Sequence, residues 1–169
     1  MTNLESVLPL DDEALRRLLY SVVEFEKISW AQDQSLKSLE QKAAWDNEAR
    51  KRLDELKREL QRNESIYNGE VIRLRKYADD TRVKEYIKKK LSEGGWQERI
   101  KIVKLLVILG TDDAVEILRD ISLHDPFCSE ESTAPDYYTD PDVIDMFPKR
   151  EIWDVRDAAN RGLSKLGKQ

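Results

Sequence analysis

Three places in the chain hold residues whose types and spacing could do chemistry. In "KIVKLLVILGTDDAVEIL", Lys101 to Leu118, the paired carboxylates Asp112 and Asp113 follow an apolar run and a glycine. If the run is a buried β-strand, the loop after it is placed to hold a metal or a phosphate, as in many α/β enzymes. If the run is a helix, the carboxylates start a second helix, where they accept orphan backbone N–H groups and meet the positive end of its dipole. His124 and Cys128, four apart, are the only His and the only Cys, hence the only residues able to form a Cys-His nucleophilic pair. The acidic stretch "DYYTDPDVID" gathers Asp136, Asp140, Asp142 and Asp145 but lacks the central Gly and closing Glu of a calcium loop. A single Cys also excludes an internal disulfide framework and a multi-cysteine zinc site.

Surfaces offer more than these clusters. Between Arg82 and Lys104 there are eight basic residues against three acidic, and Arg82, Lys84, Lys88, Lys89 and Lys90 crowd into one helical stretch. Such a face is either solvated or built to meet an acidic segment or phosphates. Trp30 and Trp45 lie on a sparse apolar stripe, where indole rings serve as interface anchors or pack in a hairpin core. Tyr137 and Tyr138, in the acidic stretch, either pin that stretch to the body together with Phe127 and Phe147 or meet a partner.

The elements that must position these residues are helical. Neither Gly nor Pro occurs between Pro9 and Gly69, a span that favours helix over strand and turn. From Asp11 to Trp30, Leu15, Leu18, Leu19, Val22, Val23 and Phe25 recur at helical spacing. Between Gln32 and Asn63 the stripe narrows to Leu36, Leu39, Ala43, Leu53, Leu56 and Leu60, which predicts a short coiled coil or an antiparallel hairpin breaking near "AQDQS". A weak helix, "EVIRLRKYA", is expected after Asn68-Gly69, then "DDTRVKEYIKKKLSEGG", capped by Asp79 or Asp80 and closed by Gly94-Gly95. Residues 126 to 150 hold four of the five prolines, and from Asp125 to Asp145 there are seven acidic and no basic residues; this reads as a long loop.

An internal repeat decides between strand and helix for the opening stretch. At an offset of 57 residues, Trp96 meets Trp153, Arg99 meets Arg156, Leu106 meets Leu163, Leu109 meets Leu166 and Gly110 meets Gly167. In the second copy only helical spacing puts Val155, Ala159, Leu163 and Leu166 on one side, so the first copy is read as a helix as well. A helix ending in Leu-x-x-Leu-Gly, a turn with Asp, then Ala-Val-x-x-Leu opening the next helix resembles a HEAT repeat, and "DVRDAANRGLSKLG" is similar to the first half of another. The resemblance covers residues 80 to 167; Glu98 stands where Val is expected, and the 57-residue spacing exceeds the family's period of about 40, which makes the acidic loop an insertion.

The expectation is therefore an all-α chain: an N-terminal helical hairpin or short coiled coil over 1–65, then a short HEAT-like array over 66–169 with an insertion at 125–150. The last repeat, having only its first helix, needs the N-terminal arm, the insertion or another subunit to cover it. The resemblance implies a non-enzymatic protein–protein interaction module, adaptor or scaffold, without cofactor or metal, that engages a protein partner or itself through the N-terminal helices. Nucleic-acid binding through the helix at 82–90 is the alternative, against which the net charge of −5 weighs. With no basic-then-apolar leader and no apolar run of about 18 residues, no membrane association and a cytoplasmic location are expected.

Overall fold

The computed structural model describes residues 10–25 and 27–168. Among these the chain is all-α, with eight helices and one two-stranded antiparallel ribbon. No helix among the described residues is long and apolar enough to cross a membrane. Two compact units meet between Tyr77 and Ala78.

In the first unit, α1 (Asp12–Glu24) is capped by Asp11, whose side chain accepts from the Ala14 N–H at 2.7 Å, and buries Leu15, Leu18, Leu19 and Val22. The chain then breaks at Ser29, which forms a reciprocal capping box with Gln32 and starts α2 (Trp30–Lys42). "AQDQS" thus lies inside a helix, not at a break. The hairpin turn comes later, at 43–46, where the Asp46 side chain caps α3 (Asn47–Arg75). Both α1 and α2 lie along α3: Phe25 stacks on Tyr67 at 4.0 Å, Lys27 reaches Glu64 at 2.7 Å and Lys57 reaches Glu40 at 3.1 Å.

Helix α3 runs through Asn68-Gly69, where a new helix was expected, and so carries the first unit past residue 65. A glycine inside a helix costs about 1 kcal/mol. Burying a leucine returns about 1.5–3 kcal/mol, and Leu74, five residues further on, is 0% exposed. The helix is worth continuing because its apolar stripe has not ended.

In the second unit, α4 (Thr81–Glu93) is capped by Asp80 and closes at Gly94. Next come α5 (Trp96–Leu109) and α6 (Asp112–His124), then, beyond an insertion, α8 (Asp154–Lys165). The stretch from Lys101 to Leu109 is a helix, not a strand. Apart from Lys101 and the exposed Lys104 it is apolar around most of its circumference, because α4, α6 and α8 all pack on it, the pattern of a central helix. Gly110, after α5, has φ +62° and Gly167, after α8, φ +65°, the left-handed conformation that glycine adopts without steric cost. The two glycines paired by the 57-residue offset therefore end their helices in the same way. Helix α8 packs on both α5 and α6 through Val155, Ala159, Gly162 and Leu163.

The insertion is more ordered than a loop. Its ends pair as β1 (Ser129–Ser132) and β2 (Lys149–Ile152), in antiparallel register with Glu131 opposite Arg150, and these two form an ion pair at 2.6 Å. A short helix, α7 (Pro141–Ile144), is capped by Asp140. "SEES" and "KREI" carry no apolar alternation, so nothing local marked them as strands; a backbone ladder between remote segments pairs them, and the exposed Glu131–Arg150 ion pair adds little.

Candidate docking groove

Helices α4 and α6 both rest on α5 and leave a groove of about 600 Å³ between them. Ile87 and Leu91 from α4 face Ala114, Ile117 and Ile121 from α6, above Leu106 and Leu109 of α5. Each wall has a reason in the sequence. Helix α6 is apolar at 114, 115, 117, 118 and 121, an arc wider than one contact needs. Val115 and Leu118 are buried, while Ile117 stays half-exposed in the groove.

Most of the charged groups around the groove, Lys88 apart, are already partnered. Lys84 Nζ meets Asp113 Oδ2 at 2.7 Å, joining the first turns of the two walls. The hydrogen bond and charge of Asp113 raise the Lys84 pKa above the ordinary lysine value. That contribution to stability is in place below the ordinary lysine pKa and fades as pH climbs through the raised folded-state value. Asp112 and Asp113 do stand in the first turn of a helix, but the cap itself is Thr111, whose hydroxyl accepts from the Ala114 N–H at 3.2 Å.

The far end of the groove is closed by Asp125, only 4% exposed. Arg99 Nη1 donates to its Oδ2 at 2.7 Å, the Phe127 N–H donates to its Oδ1 at 3.0 Å, and Arg156 Nε donates to its main-chain oxygen at 2.7 Å. The Arg99 guanidinium lies 5.0 Å from the Phe127 ring centre and that of Arg156 lies 3.8 Å from Trp153. The two arginines matched by the internal repeat thus converge on one residue, at the start of the insertion. Asp125 was not singled out in the sequence; nothing local marks it, because the arginines that meet it lie 26 and 31 residues away.

The residues expected to bind a partner are dispersed. Among the five cations of α4, Arg82 pairs with Asp80 at 2.7 Å, Lys84 with Asp113, and Lys90 with Glu98 at 3.2 Å. Lys88 and Lys89 are exposed and form no ion pair with the described residues; Lys84 and Lys88 line the groove. Trp30 and Trp45, 78% and 77% exposed, belong to the first unit and are not part of a hairpin core. Tyr137 packs on Tyr138 at 4.6 Å and Tyr138 on Phe147 at 5.4 Å, while Phe127 meets Arg99 of α5. His124 Nδ1 pairs with Asp120 at 2.9 Å, while the exposed Cys128 thiol faces the Ser129 carbonyl. Among the described residues no group of three or more His, Cys, Asp or Glu is arranged to hold a metal ion.

Two carboxyls on α4 and α5 are held below the ordinary carboxylate range: Asp80 by its hydrogen bonds from Arg82, and Glu98 by those from Lys90, with Lys101 adding to the effect. A depressed carboxyl contributes stability above its unfolded pKa and loses it as pH falls through the lower folded value. Glu98→Gln is therefore expected to lower the melting temperature at pH 7 and to converge on the parent protein in acid. Parallel melting curves from pH 7 to pH 3 check this; an offset that persists unchanged in acid would assign the loss to packing.

No family model, no curated protein and no solved structure matches the chain.

Proposed function

We propose that the protein is a non-enzymatic interaction module, an adaptor or scaffold built on a short HEAT-like array and acting in the cytoplasm, which receives a partner protein in the groove between α4 and α6. The observation that carries this reading is the groove itself: an open, apolar trough whose polar rim groups are largely consumed by one another. Such a surface offers shape and apolar area, the usual content of a protein-docking site.

The nucleic-acid alternative draws on less. Phosphate tracking needs several cations free to release counterions, and three of the five on α4 have carboxylate partners. It predicts binding to duplex or single-stranded probes at low salt that Lys88→Glu with Lys89→Glu abolishes. A low-salt gel shift distinguishes the two readings.

The docking reading predicts that a benzoyl-phenylalanine photo-crosslinker at position 117 of the full chain captures a protein in cells, and that one at position 89 captures it less. Ile117→Asp, which puts a charge among apolar groove residues, is expected to weaken retention of the same partner at least tenfold. Unchanged retention by this variant would rule the groove out as the docking surface.

A further inference from the structure

We propose that the occupant of the groove is an amphipathic α-helix of the partner, three to four turns long, with an acidic flank against α4 and a basic flank against α6. This rests on the docking reading above and narrows it to one ligand chemistry.

The groove has the dimensions of a helix. Each wall is a helix of 13 residues, roughly 20 Å long at about 1.5 Å per residue. The Lys84–Asp113 pair joins the walls at their first turns, while Leu91 and Ser92 on one side and His124 on the other line the groove from their last turns. The walls therefore run side by side, and the trough follows their length.

Backbone chemistry selects a helix over an extended strand. The walls and floor are helices whose N–H and C=O groups are bonded internally. An extended peptide pressed onto them would surrender the water on its own backbone groups and find few partners in exchange. A helix arrives with its backbone satisfied and presents apolar side chains at i, i+3, i+4 and i+7 to the half-exposed Leu91 and Ile117, with the buried Ile87 and Ile121 beneath them.

The rims carry opposite charge. Lys88 on the α4 side has no ion-pair partner among the described residues, and Asp120 on the α6 side is 77% exposed and shares its charge only with His124 of its own helix. A bound helix with Glu toward Lys88 and Lys or Arg toward Asp120 complements both rims. Because turning the helix end for end exchanges its flanks, the same two charges set the direction in which it lies.

The test uses the full chain and fluorescein-labelled 14-residue peptides with one leucine stripe and three flank patterns: acidic and basic, acidic on both sides, basic on both sides. Anisotropy titrations are expected to rank the mixed peptide tightest, by about tenfold over either same-sign peptide, as expected for a few exposed charge pairs turned from attraction to repulsion. Lys88→Glu, on the surface and harmless to the core, is expected to shift the preference to the peptide basic on both sides. A central proline in the mixed peptide should remove binding. Equal affinity for all flank patterns, or undiminished binding of the proline peptide, overturns the proposal. So does binding of dansyl-undecanoic acid with no peptide binding, or self-association of the chain that Ile117→Asp abolishes. If position 117 still captures a protein while the peptides show no flank or helix preference, only this inference fails; if nothing is captured there, the docking reading fails with it.

Discussion

Asp125→Ala is expected to destabilise the second unit by about 3 kcal/mol, the cost of breaking a buried ion pair and leaving one charge uncompensated. The carboxylate is the point at which α5, the end of α6 and the entry to the insertion are tied together, through Arg99 and the Phe127 N–H. With it gone, Arg99, whose side chain is only 15% exposed, keeps one long bond to the Gly94 carbonyl and no counter-charge. Arg156→Ala should cost less, about 1 kcal/mol, because its bond goes to a main-chain oxygen. Urea unfolding followed by far-ultraviolet circular dichroism measures both. A loss below 1 kcal/mol for Asp125→Ala would mean that water reaches Arg99 and takes over the role of the carboxylate.

Gly162 is the second position where one substitution should act strongly. A Cβ built there would lie 2.6 Å from Val107 Cγ2, well inside van der Waals contact, with Leu118 at 3.9 Å. The side chain of Val107 is short and β-branched, so it has little room to swing away. Alanine is the better helix former by about 1 kcal/mol, yet Gly162→Ala is expected to be net destabilising because overpacking costs about 1–3 kcal/mol. Gly162→Leu should detach α8 from α5 and α6 altogether. Combining Gly162→Ala with Val107→Ala should recover part of the loss, and the coupling energy from the double-mutant cycle reports the clash directly. Additive effects, or a stabilised Gly162→Ala, would show that α8 has room to shift.

The helical architecture was largely legible. Asp11, Asp80 and the glycines after Leu109 and Leu166 mark helix ends by chemistry that acts over three or four residues. The missed boundaries divide into two kinds. The start of α2 was written in the sequence as Ser29-x-x-Gln32, a capping box, but a helical reading carried from Asp11 to Trp30 ran across it. The run of α3 through Gly69 was not written locally, because the burial of Leu74 outweighs the preference of the glycine. The ribbon in the insertion is likewise decided by a register, Glu131 against Arg150, between segments 19 residues apart.

The candidate groove was less legible than the fold. Lys84 and Lys88 were identified from charge density, and they do line the groove. Charge density does not tell which cations have carboxylate partners: Asp113 lies 29 residues from Lys84. Ile117 was not singled out, since periodicity shows that a side chain faces inward but not whether a neighbouring helix arrives to cover it.

By itself the sequence determined the all-α class, the helical identity of Lys101 to Leu109 and the matched ends of α5 and α8, because propensity, capping and apolar period are local or repeat along the chain. Tertiary structure alone decided that α4 and α6 stand apart on α5, that Arg99 and Arg156 share Asp125, and that Lys84 is paired with Asp113. These outcomes depend on distances between residues remote in sequence, which are set only when the helices pack against a common core.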